Sequence, residues 1–176
     1  MESSFQIKSL KTTLNYKNDN VVYRFTELFN VSKEQANELF QDCIIWLWLC
    51  ANAAKDRKQG GSSPSKMAID NSVLVIDEMW HNFICFTKDY QKFCAKYFGV
   101  FIHHTPTTKE FNDELKKNYE INIEFQKDRR NFQYEYMGSK LETELGEKIG
   151  TSVFTKWYVD YPKRYSKRKI KTLRKR

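Results

Sequence analysis

All three histidines of this chain, His81, His103 and His104, lie in one stretch that reads IDEMWHNFICFTKDYQKFCAKYFGVFIHHTP from Ile76 to Pro106. Asp77 precedes His81 by four residues, which is about 40° round an α-helix. Its carboxylate can therefore accept a bond from one ring nitrogen and leave the other free to bind a metal ion or move a proton. Cys94 adds a thiol. His81, Cys94 and one or both of His103 and His104 make a mixed nitrogen and sulfur donor set, which suits zinc. Neighbouring side chains in an extended stretch point to opposite sides, which favours His104 over His103. Asp77 and Trp80 stand behind these ligands as supporting groups.

The set assembles only if the chain doubles back. In one unbroken helix Cys94 would lie about 140° round from His81. A break near Thr87 removes the difficulty. A first helix then spans Val73–Phe86. Thr87 caps a second, Lys88–Phe98, in which Tyr90, Phe93, Cys94 and Tyr97 share a face, and Gly99 ends it. Three other readings use the same residues. The histidines can be hydrogen-bonded polar groups at a packed corner with no ion. Cys85, one turn after His81, is a rival ligand that needs no break. Cys94 can be a nucleophile with a histidine base, although a cysteine beside Phe93 and Tyr97 on a helix has the setting of a small core residue. A metal-dependent hydrolase would further require an open coordination position and a base such as Glu78.

Asp77, Trp80-His81, Tyr90, Cys94, Phe98-Gly99, His104 and Pro106 resemble the D-x-x-W-H, Y-x-x-x-C, F-G, H-x-P pattern of glycine-rich-domain-containing-protein-like sequences. The resemblance extends weakly to Gly146 and to Trp157, Tyr158 and Pro162. It implies a helical domain in which His81, Cys94 and His104 come together. The chain departs from the family's name in having no glycine-rich region, and no activity is implied.

The elements that must hold such a corner are helices. Aromatics are abundant (13 Phe, 10 Tyr, 4 Trp) while Gly and Pro are scarce (6 and 3), a balance that favours packed helices over a turn-rich β fold. Residues 1–19 read as an arm or short strand. Val21–Phe29 forms a short helix with Val21, Val22, Phe25, Leu28 and Phe29 inward. Ser32 and Gln35 have capping-box spacing and open a central helix whose stripe of Ala36, Leu39, Phe40, Cys43, Ile44 and Leu47 is broadened by Trp46, Trp48 and Leu49. Such a helix is surrounded on most sides or hands an aromatic face to a partner. Residues 56–66 (DRKQGGSSPSK) read as a flexible loop. Thr107 and Glu110 open a long helix with Phe111, Leu115 and Tyr119 inward. A last helix covers Leu141–Tyr161, with Leu145, Ile149, Val153 and Trp157 inward, and Pro162 stops it. The expectation is an all-α, compact multi-helix bundle: one domain over residues 1–162, then a basic tail over 163–176.

The formal charge of +8 is concentrated in that tail. Lys163, Arg164, Lys167, Arg168, Lys169, Lys171, Arg174, Lys175 and Arg176 are 9 of the 30 cations, and none of the 22 acids accompanies them. The body is therefore close to neutral, and the whole chain's mean hydropathy of −0.71 reflects amphipathic helices rather than disorder. A basic block attracts nucleic acid or an anionic surface, and Trp157, Tyr158, Tyr161 and Tyr165 could stack on bases beside it or simply pack the last helix.

Four cysteines without a C-x-x-C pair, and an N-terminus without a secretory core, suit the reducing cytoplasm. The longest apolar run, Cys43–Ala51, is about half the length that spans a bilayer. P-loop, dinucleotide and zinc-protease motifs are absent, which points away from the common enzymes. The function read from the sequence is a cytoplasmic component that engages another protein or itself, with a His/Cys corner suited to structural zinc. A nucleic-acid-binding module acting through the tail, and a metal-dependent hydrolase, are the alternatives.

Overall fold

The computed structural model describes residues 5–105, 109–110, 113 and 119–175. An N-terminal arm leads into the single-turn helix α1 (Leu10–Thr13), then α2 (Asp19–Leu28) and the long α3 (Lys33–Lys58). The arm is neither strand nor loose. The amides of Gln6 and Lys8 donate to the carbonyls of Phe98 and Tyr97 at 2.9 Å, and the Lys8 carbonyl accepts from the Trp48 indole at 2.9 Å. The residues at 97–98 end a helix, where carbonyls lack intrahelical partners, so the arm satisfies groups that would otherwise need water.

Helix α2 starts at Asn18, whose side chain accepts from the Val21 amide. Val21, Val22, Phe25 and Phe29 are buried as expected, but Leu28 faces outward. The capping box at Ser32 and Gln35 forms in full. From it α3 runs through the middle of the molecule, with Trp46, Trp48 and Leu49 all buried. The breadth of its apolar stripe thus reflects neighbours on most sides rather than a face offered to a partner.

Residues 59–73, which include much of the segment expected to be a flexible loop, are tied down. Gln133 bonds both the amide and the carbonyl of Ala68 (2.7 and 3.0 Å), Tyr134 donates to Asp70 (2.6 Å), and Ser63 donates to the Ala53 carbonyl. Helix α4 (Leu74–Ile84) follows, and α5 (Thr87–Phe98) folds back beside it. Phe40 of α3, Phe83 of α4, Phe93 of α5 and Tyr16 pack with ring centroids 4.8–6.1 Å apart. Each buried aromatic ring of this kind stabilises by about 2–3 kcal/mol.

Beyond the loop at 100–105 the structure describes α6 (Tyr119–Leu145), α7 (Glu147–Thr155), a π-helical turn (Lys156–Asp160), α8 (Tyr161–Arg164) and α9 (Lys167–Leu173). The capping pattern at Thr107, with Phe111 and Leu115, lies outside the described residues. The single helix expected over 141–161 is divided at Gly146, whose φ of +85° a helix cannot accommodate. The division turns Ile149 out to 55% exposure. It also lets α7 cross α6 so closely that a Cβ on Gly150 would meet the Glu142 amide nitrogen at 3.0 Å. Pro162 does not end the helical path, since it sits in the first turn of α8, directly after the π-helical turn.

The π turn carries a buried polar network. Asp42 of α3 is 1% exposed, lies 2.8 Å from Lys156 Nζ and accepts from the Tyr161 hydroxyl. Burial raises its carboxyl above the usual aspartate range, against the opposing pull of Lys156. Trp157, Tyr161 and Tyr165 are buried and Tyr158 packs on Tyr134. These aromatics pack the body and are not presented for stacking on bases.

The basic segment is itself folded onto the body. Ile170 of α9 is buried, the Asn30 amide donates to the Leu173 carbonyl at 2.7 Å and the Lys175 amide to Leu28 at 2.8 Å. Arg174 pairs with Phe29 in an isolated β-bridge and forms a two-pronged contact with Glu78 at 2.7 and 2.8 Å. Among the described residues every regular element is helical, as expected, and no helix is long and apolar enough to cross a membrane.

Candidate metal centre

Helix α4 ends because Phe86 leaves the helical path with ψ +60°, while Cys85 before it still has helical dihedrals. The break is where the pattern requires it, but Thr87 is the first residue of α5 rather than its cap, and no side chain caps that end. Phe86 packs against the core, so burial, not capping, fixes the bend. Gly99 then reverses the chain in the left-handed conformation (φ +72°), its amide bonded to the carbonyls of Cys94 and Ala95. Residues 101–105 return alongside α4.

This return brings Asp77, His81 and His104 together, with one donor atom of each within 4.8 Å of the others. His104 Nε2 lies 2.9 Å from Asp77 Oδ1, His81 Nε2 lies 3.9 Å from the same oxygen, and the two imidazole rings meet with centroids 4.4 Å apart. Donors about 2.1 Å from a tetrahedral ion stand about 3.4 Å from one another, so the spacings bracket what a single zinc ion requires. Asp77 and His104 are mostly shielded while the side chain of His81 is 49% exposed, leaving one side of the cluster open to solvent.

The donor set differs from the expected one in three respects. Asp77, read as a support for His81, bonds His104 instead and is itself a donor of the group. Cys94 is outside it, fully buried beneath the site. Burial pushes the Cys94 thiol up, which keeps it protonated and disfavours it as a nucleophile. His103 is exposed and packs on Phe101 at 4.8 Å between ring centroids, away from the cluster. The alternation of Ile102 inward, His103 outward and His104 inward follows from the extended backbone.

Two neighbours complete the surroundings. Trp80 turns its ring against His104 (centroids 4.5 Å, 73° between planes) and donates from its indole to the Tyr90 hydroxyl at 3.0 Å. Cys85, the rival ligand, donates to the His81 carbonyl at 3.3 Å and lies outside the group. Sequence reasoning placed Tyr90 on the inward face of its helix without a role beside the histidines, and it missed the Glu78–Arg174 pair. The i, i+4 spacing of Asp77 and His81 was a signal for the donor role of Asp77, whereas a contact between residues 78 and 174 left none.

A sequence model of a family described as UCP032817-like matches residues 62–131, a span that contains the whole cluster. This match replaces the resemblance to glycine-rich-domain-containing-protein-like sequences drawn from the motif pattern. The D-x-x-W-H and H-x-P residues are real features of the chain, but the family model that matches over them is a different one. No curated protein and no solved structure matches the chain.

Proposed function

We propose that the protein binds one divalent metal ion, zinc by the chemistry of its donors, through Asp77, His81 and His104, and that the ion fastens the 101–105 segment to α4. The observation that carries this reading is the convergence of a carboxylate and two imidazoles from chain segments 27 residues apart. Two nitrogens and one oxygen suit zinc better than the hard cations, which prefer all-oxygen sets. Three protein ligands leave a fourth position on the exposed His81 side. A donor from a partner protein could occupy it, which is the interaction role that this geometry supports, and the four free thiols fit a reducing compartment such as the cytoplasm.

Hydrolysis is the weaker use of the same centre. Glu78 lies on the neighbouring part of α4, but its carboxylate is held by Arg174 on both oxygens and is not free to accept a proton from a bound water. Nucleic-acid binding is supported by Lys167, Arg168 and Lys171, which are exposed on α9. Lys169 bonds the Lys163 carbonyl and Arg174 is engaged with Glu78; Arg176 lies outside the described residues. Binding of this kind would weaken steeply with added salt.

Elemental analysis of protein purified without an affinity tag tests the metal reading. Close to one equivalent of zinc is expected in the wild type, with little in His81→Ala or His104→Ala when circular dichroism shows that both retain their helices. Absence of metal from wild-type protein refolded in the presence of zinc would end the proposal.

A further inference from the structure

His104 is delivered to the cluster by a segment without secondary structure of its own. Among the described residues, no backbone–backbone hydrogen bond holds Val100–Thr105. What does hold this segment is the inward face of α5. The Tyr90 hydroxyl donates to the Ile102 carbonyl at 2.6 Å while accepting from the Trp80 indole at 3.0 Å. Cys94, one helical turn beyond Tyr90, presents its sulfur to the Ile102 amide. Both polar groups of one residue are thus taken by two side chains of one helix, two residues before His104.

We infer that Tyr90 and Cys94 form a clamp on Ile102 that sets the approach of His104 to Asp77 and His81, making them positioning residues for the metal centre, an inference that rests on the metal-binding reading above. Cys94 then serves the site without ligating the ion. The phenol is suited to the task because its ring is fixed independently of its hydroxyl. It packs edge-on against Phe83 of α4 at 5.1 Å, so the oxygen is aimed before the loop closes on it, and Phe101 of the loop then meets the same ring at 5.2 Å. Trp80 links the two halves of the device, since it touches both the phenol and the His104 ring. A free swing of the 101–105 segment would instead require the ion to order it, and ordering a loop on binding costs affinity.

Tyr90→Phe keeps the ring and deletes only the clamp. In competition titrations of zinc against a chromophoric chelator it is expected to weaken binding about ten- to a hundred-fold, the usual effect of losing an outer hydrogen bond to a ligand-bearing segment. Cys94→Ala is expected to weaken binding as well, and Cys94→Ser, which restores an acceptor for the Ile102 amide, to recover most of the loss. Rescue by serine distinguishes positioning from a mere packing defect. Cobalt-loaded wild type should lack the thiolate charge-transfer absorption of a cysteine ligand. In metal-free protein, Tyr90→Phe should shift the His104 ring resonances, and those of His81 by less, since its ring meets that of His104 but is itself anchored on α4. Unchanged affinity in Tyr90→Phe, unmoved His104 resonances, or a thiolate band overturns the clamp. Failure of the wild type to take up metal overturns the metal reading and the clamp's part in it, while the resonance shift still reports whether the segment is held.

Discussion

His104 Nε2 stands 2.9 Å from Asp77 Oδ1, a contact between the far end of a returning loop and the first turn of α4. It closes the mouth of the α4–α5 hairpin, and it is the contact that a bound ion would replace with two coordinate bonds.

An ion at this position stabilises only the folded chain, because the unfolded chain has no preformed site. Zinc at 100 times its dissociation constant should add about 2.7 kcal/mol, seen as a rise in Tm that His81→Ala abolishes. The rise should shrink as pH falls, since protons compete with the metal for the imidazoles. A Tm shift that survives His81→Ala and His104→Ala alike would place the metal elsewhere.

Asp42 predicts a pH dependence of opposite sense. Burial raises its carboxyl in the folded protein, so the folded state binds the proton more tightly than the unfolded state does. Its contribution is therefore most favourable at low pH and declines as pH rises from the ordinary aspartate range through the raised value. Urea titrations across that window should show Asp42→Asn with a flatter stability profile than wild type, the two curves diverging toward neutral pH. Parallel profiles would mean that Lys156 compensates the burial fully.

Two glycines should respond in opposite directions to the same substitution. Gly150→Ala places a methyl group 3.0–3.3 Å from backbone atoms of Leu141 and Glu142, and because backbone yields little, a loss of about 1–3 kcal/mol is expected. Gly138 lies within α6, where an added methyl group would meet no atom within 4 Å, so Gly138→Ala should gain about 0.5–1 kcal/mol from helix propensity. Chemical denaturation of the two variants side by side makes the comparison.

The C-terminal segment gives a fourth test. Ile170→Ala removes buried apolar surface from α9 and should cost about 2–3 kcal/mol. Arg174→Ala removes a half-exposed ion pair and should cost no more than about 1 kcal/mol. A larger loss in Arg174→Ala than in Ile170→Ala would mean that the pair with Glu78, not apolar burial, holds the segment down.

Much of this architecture is legible in the sequence because it rests on local rules. The capping box at Ser32 and Gln35, the breadth of the α3 stripe and the stop at Gly99 each depend on residues within a turn or two. The bend at Phe86 is legible only as a requirement, since Cys85 and Phe86 carry no turn chemistry and the packing of Phe86 fixes it. The division at Gly146 is missed because Leu145, Ile149, Val153 and Trp157 keep helical spacing through it, and spacing cannot report a positive φ. At the site, the alternation of His103 and His104 follows from strand geometry and selects the inward imidazole. Cys94 reads as a ligand by its place on the α5 face, whereas the donor atoms that come together are those of Asp77, His81 and His104.

The paired histidines have a consequence for how the returning loop can change length. One residue inserted just before Ile102 would carry His103 into the inward place and still present an imidazole to Asp77. One residue removed there would carry Thr105 into it and present a hydroxyl. Growth of this loop is therefore buffered by a spare ring, and shortening is not.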